Sequence, residues 1–140
     1  MVTREAESVS TGQPTSKWVI ELGWYEVNNR SFIDLARRSL CPKCVDKLQK
    51  KKKKAGTDDI MAAIKDCCSR NPDFITAKLP IMESSFRVLL ANGNQPMDTI
   101  TLSRELNLHR GGDSFGVPPE VLDRLLSNDR WYGIKKAIEE

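Results

Sequence analysis

The chain has 140 residues, with 22 Lys plus Arg against 19 Asp plus Glu, a formal charge of +3 and a hydrophobic fraction of 39%. That length suits one ordinary domain or two very small ones, and the apolar content is too high for a wholly disordered chain. No apolar run approaches the ~20 residues of a membrane-spanning helix, and the polar start, Met1 to Ser16, holds no signal-peptide core. A cytoplasmic, non-membrane, mainly α protein is therefore expected.

Residues 1–17 read as a flexible tail rich in Ser, Thr, Gly and Pro. From Trp18 the apolar residues Trp18, Ile20, Leu22 and Trp24 alternate as in a strand, but Trp18, Leu22 and Tyr25 also share a helical face, and nearby helix signals favour a helix. Ser31-Phe32-Ile33-Asp34 predicts a capped helix start, with Phe32, Leu35, Ala36 and Leu40 on its apolar side and a stop before Pro42. Lys43 to Lys54 can form another helix, ended by Ala55-Gly56. Thr57 is the expected cap of the next, which places Ile60, Ile64, Cys67 and Cys68 on one side. Asn71-Pro72-Asp73 closes that helix. A boundary near Pro80 then separates a helical first region, residues 18–75, from a second, residues 80–136.

In the second region Met82, Phe86, Leu89 and Leu90 mark an amphipathic helix, with Gly93 placed for a left-handed C-cap. Asn94 to Met97 form an extended connector. Asp98 caps a helix carrying Ile100, Leu102, Ser103 and Leu106. Asn107 to Val117 read as a polar loop, and Pro118-Pro119 open a third helix with Val121, Leu122, Leu125 and Leu126 expected on its buried side. Trp131-Tyr132-Gly133-Ile134 reads as a short aromatic strand.

Residues 81–136 resemble the winged helix-turn-helix superfamily. Phe86-Arg87-Val88-Leu89-Leu90-Ala91-Asn92-Gly93-Asn94-Gln95-Pro96-Met97 is similar to its first helix and connector, and Thr101-Leu102-Ser103-Arg104-Glu105-Leu106 to its second helix. The likeness is to modules of bacterial transcription machinery, such as the N-terminal module of the RNA polymerase delta subunit. It implies association with DNA or RNA, and a protein partner in that machinery. The chain departs from the family where its wing, normally a two-stranded hairpin, is cut short after Arg130 to Lys135. It departs again where the outward residues of the third helix, Glu120, Asp123, Arg124 and Ser127, make a poor surface against phosphates.

The four cysteines carry the sharpest chemistry. Cys41-Pro42-Lys43-Cys44 is a CxxC pair at a helix start, where two thiolates can point at one ion. Cys67 and Cys68 are adjacent, and neighbouring helical side chains diverge by ~100°, so both reach one tetrahedral ion only where the helix unwinds, for which Ser69 to Pro72 is the expected place. The expectation is a structural Zn²⁺ on Cys41, Cys44, Cys67 and Cys68. The alternatives are a redox CxxC, or Cys67 and Cys68 as plain buried residues.

Five positive charges are consecutive, Lys50, Lys51, Lys52, Lys53 and Lys54, so the rest of the chain is net negative. Such a run is either a solvated helix end or a phosphate-contacting patch. With Arg110, Arg124, Arg130, Lys135 and Lys136 it forms the candidate nucleic-acid surface. One histidine, His109, and the absence of HxxE or phosphate-loop patterns argue against catalysis and a small-molecule substrate. The sequence thus predicts a zinc-stabilised winged-helix module that binds nucleic acid. The alternative is a protein-docking module that uses the acidic third helix and the aromatics Phe115, Trp131 and Tyr132.

Overall fold

The computed structural model describes residues 16–50, 56–110 and 117–137, and they are predominantly helical. In chain order the elements are β1 (Lys17–Ile20), α1 (Leu22–Val27), α2 (Phe32–Arg37), α3 (Pro42–Gln49) and α4 (Thr57–Asp66), followed by a 3-10 turn (Cys68–Arg70). Then come α5 (Ile81–Ala91), β2 (Met97–Asp98), α6 (Thr99–His109), α7 (Pro119–Ser127) and β3 (Ile134–Lys136).

The largest difference from the sequence reading lies at the start. The stretch expected to be one helix from Trp18 is a strand and then a helix. Trp18 and Ile20 are buried while Val19 between them is half-exposed, the period-two burial of a strand. Glu21 then caps α1 by accepting from the Gly23 N–H at 3.3 Å. β1 is the middle strand of an antiparallel sheet ordered β2-β1-β3, with Trp18 opposite both Met97 and Lys136 and Ile20 opposite Ile134. The Asn94 side chain holds the end of β1, accepting from the Ile20 N–H at 2.7 Å and donating to the Ile20 carbonyl at 2.9 Å. Lys17, assigned by sequence to the tail, is part of this strand.

The sequence division at residue 80 does not part the core. Phe32, Ala36, Cys44, Leu48, Ile60 and Ile64 belong to the same buried cluster as Phe86, Leu89, Leu102, Leu122 and Ile134. α4 packs on both α2 and α5. Edge-on aromatic contacts run from Trp24 through Tyr25 and Phe32 to Phe86, with ring centroids 5.0, 5.3 and 6.2 Å apart.

Local chemistry explains the element ends. Ser31 caps α2, accepting from the Asp34 N–H at 3.1 Å, and Asp98 caps α6, accepting from the Thr101 N–H at 2.7 Å. Gly93 is left-handed at φ +72° after α5, as its position predicts. The cap of α4 is Gly56 instead of Thr57, with the Asp59 carboxylate accepting from the Gly56 N–H at 3.0 Å. On α7 the expected apolar face is half right. Leu122 and Leu126 are buried, but Val121 and Leu125 stay 38% and 39% exposed. Asp123, read as outward, is half-buried and lies 3.2 Å from the Thr99 hydroxyl, which also accepts from the Trp18 indole at 2.8 Å. The last strand begins at Ile134, later than expected. The Asp129 carboxylate accepts backbone N–H groups from Trp131, Tyr132 and Ile134, bending the chain before the strand starts.

Candidate metal centre and basic face

The turn between α2 and α3 and the end of α4 bring the cysteines together. Cys41 is the N-cap of α3, Pro42 opens the helix, and Cys44 sits one turn in, its N–H donating to the Cys41 carbonyl at 3.0 Å. α4 ends at Asp66. Cys67 leaves helical geometry with φ −131° and ψ −62°, and Cys68 begins the 3-10 turn. The break falls between the adjacent cysteines, earlier than the Ser69–Pro72 stretch that the sequence suggests, and it turns Cys68 toward Cys41.

The sulfurs of Cys41, Cys44 and Cys68 all lie within 4.8 Å of one another, and these three thiols could hold a metal ion. Cys41 and Cys68 sulfurs are 3.5 Å apart, and the Cys41 backbone N–H donates to the Cys68 sulfur at 3.2 Å. Such N–H groups offset thiolate charge around a bound cation. Cys67 falls outside this mutual set, although it lines one cavity with Cys44.

Burial opposes ionisation of Cys41. The Cys44 backbone N–H and the surrounding thiols of Cys68, Cys44 and Cys67 outweigh it and bring the thiol down to about 7. Burial pushes Cys44 and Cys68 upward. One thiolate among protonated neighbours is the state expected of an ion-free cluster of like groups, since each further ionisation meets the first charge. His109, a conceivable substitute ligand, is exposed at the far end of α6 and lines a hollow with Phe74 and Met97, apart from the thiols.

Among the described residues, the candidate nucleic-acid residues are exposed with one exception. Lys50 is exposed at the end of α3, while Lys51, Lys52, Lys53 and Lys54 lie outside the described residues, as does Phe115. Arg124 is exposed on α7, and Arg130, Lys135 and Lys136 are exposed on and just before β3. Arg110 is a correction. It is only 9% exposed, and its guanidinium donates to the carbonyls of Thr76, Ala77 and Leu79 and to the Ser84 hydroxyl. A guanidinium committed to the turns before α5 cannot meet a phosphate.

Sequence reasoning missed two groups. Arg87 ties the regions together, donating to the Phe74 carbonyl at 2.7 Å, the Arg38 carbonyl at 3.0 Å and Glu83 at 3.0 Å. Arg30 lies over two indoles, its guanidinium carbon 5.7 Å from the Trp24 ring centre and 4.8 Å from that of Trp131. No local pattern marks the contacts of Arg87 with Arg38 or of Arg30 with Trp131, because those partners are far apart in sequence. No known protein family, characterised protein or solved structure matches the chain.

Proposed function

We propose that the chain is a non-enzymatic, zinc-stabilised winged-helix module that associates with nucleic acid in transcription or its regulation. Tetrahedral Zn–S bonds of ~2.3 Å put sulfurs ~3.8 Å apart, and the 3.5 Å between Cys41 and Cys68 suits that spacing. Cys67, which lines one cavity with Cys44, is the fourth ligand in this reading, closing the site as a structural zinc requires. The ion's contribution is stability.

The order α5, β2, α6, α7, β3 favours the winged helix. In this reading β1, which pairs antiparallel with β3, stands in for the wing strand that the sequence leaves missing. The observation that carries nucleic-acid association is that Arg130, Lys135 and Lys136, close to Trp131 in sequence, are all exposed and none is in an ion pair among the described residues. In this reading contact runs through the β3 side, because α7 offers Glu120 and half-exposed apolar residues where a groove reader needs cations.

The zinc-loaded chain should bind nucleic acid with affinity falling steeply as salt rises. Replacing Lys135 and Lys136 by Gln should reduce the slope of log K against log salt by ~0.7–0.9 for each phosphate that is no longer neutralised. Changing Lys50–Lys54 to Gln should flatten it further. A second reading, protein docking, is favoured by Val121 and Leu125, which sit four residues apart on the open side of α7. Absence of binding at low salt would leave only that reading.

A further inference from the structure

We infer that the cleft between Trp131 and α2 binds one nucleotide of an unpaired strand, the base stacking on Trp131 and the phosphate meeting Arg30 and Arg38. The inference rests on the nucleic-acid reading above and deepens it, because it makes the ligand a single strand and not a duplex. The cleft has a volume of about 310 Å³ and is lined by Tyr25, Arg30, Asp34, Leu35, Arg38 and Trp131, among others.

Trp131 is 62% exposed, yet its main chain is fixed. The Asp129 carboxylate accepts the N–H groups of Trp131 at 3.1 Å, Tyr132 at 3.1 Å and Ile134 at 2.9 Å. Behind the turn, Gly133 has φ +67°, and a Cβ there would lie 2.9 Å from the Tyr25 ring. The bend therefore admits no side chain at residue 133 without displacing Tyr25. Arg30 already lies over part of the ring, and the large area of indole still open to water is a poor use of apolar surface unless a further group stacks on it.

Arg30 defines what that group is. Its guanidinium lies over Trp131 and Trp24 and makes no ion pair among the described residues, and neither does Arg38 across the cleft. Stacking occupies a guanidinium's faces and leaves its N–H edge free for a planar or tetrahedral anion. Asp34 also lines the cleft, but two guanidiniums leave it net positive. An aromatic plane beside unpaired cations is the combination that binds unstacked bases and their phosphates without reading sequence. A docking peptide would find Leu35 as the aliphatic part of the wall, too little apolar surface for a helix or strand to bury. Duplex DNA keeps its bases stacked and cannot offer a free face to the indole.

The test uses the full zinc-loaded chain, a labelled oligothymidylate of about 12 nucleotides and a duplex of equal length. The oligothymidylate should bind more tightly than the duplex and quench tryptophan fluorescence. Trp131→Ala should weaken its binding roughly tenfold, whereas Trp131→Phe, which keeps a stacking ring, should stay within about threefold of wild type and lose the quench. Arg30→Lys, which keeps charge and loses the planar fork, should also weaken binding, and thermal melts of each variant report whether the fold is intact. Oligothymidylate binding equal in wild type and Trp131→Ala would overturn the cleft while leaving nucleic-acid association standing. Duplex binding tighter than single-strand binding would do the same. No binding of either nucleic acid at low salt would overturn both. An acidic peptide bound as tightly as the oligothymidylate, with the same dependence on Trp131, would overturn the nucleotide assignment in favour of a protein surface.

Discussion

Around the thiols, α2, α3 and α4 offer the core Phe32, Ala36, Cys44, Leu48, Ile60 and Ile64. Around the sheet, β1, α5, α7 and β3 offer Trp18, Phe86, Leu89, Leu122 and Ile134. Both sets are buried, but the second set is larger side chain for side chain and is braced by strand pairing. The thiol corner has short helices of six to ten residues and no sheet of its own. Short helices are marginal without tertiary support, so what the corner lacks in side-chain volume a metal ion can supply. The sheet end needs no such help.

The sharpest way to break this comparison is to strip from the thiols any metal they hold. Structural zinc in small modules binds with ~10–16 kcal/mol, as much as the whole stability of an ordinary domain. Thiol-specific chelation at neutral pH, or Cys44→Ser, should strip amide protection first from α2, α3 and α4 and later from β1, α6 and α7, as read by hydrogen exchange. Loss of helical circular dichroism should accompany it. A stripped chain with unchanged circular dichroism and a single cooperative melt would show that the corner holds itself.

A second prediction concerns the seam. The Phe86 ring lies 6.2 Å from Phe32 on α2 and 5.5 Å from Tyr132 beside β3, so it touches both regions. Phe86→Ala should cost ~3–5 kcal/mol in urea unfolding, and metal release and sheet unfolding should then occur at the same urea concentration. Separate transitions would mean that the two regions are energetically independent despite their common core. Arg110→Met probes the same seam from the polar side. It frees the carbonyls of Thr76, Ala77 and Leu79, and a cost of ~1–3 kcal/mol is expected from the unsatisfied groups, with the stretch before α5 becoming protease-sensitive.

What the sequence reveals follows the range of each interaction. The caps of Ser31 and Asp98, the turn at Gly93 and the helices α5, α6 and α7 depend on residues a few positions apart, and each is legible. The CxxC pair is legible for the same reason, and the closeness of Cys41 to Cys68 is expected only on condition of an unwound helix end. The break at Cys67 meets that condition. β1 is misread because its partners, Met97 and Ile134, are some eighty and more than a hundred residues away. Its alternation is visible, but pairing decides between strand and helix for so short a run. Arg110 is misread for a related reason. An arginine after a helix is ordinarily solvated, and only the fold brings three carbonyls of the preceding linker around it.

The smallest effect lies at the sheet end and separates it from the thiols by pH. The Thr101 backbone N–H, against the cost of burial, holds the Asp98 carboxyl below the usual carboxylate range. Because its folded value is depressed, Asp98 contributes stability that is complete above the ordinary carboxylate value, ~3.9, and is lost as pH falls through the lower folded one. Acid would also protonate the thiols and release a metal held in the other region, so a wild-type acid curve alone would mix the two causes. Asp98→Ala removes the cap without touching a cysteine. It should cost ~1 kcal/mol at neutral pH, and its stability curve should meet that of wild type as pH drops through this range. If the gap between the curves persists at the lowest pH where both chains remain folded, the cap acts through packing and not through its charge.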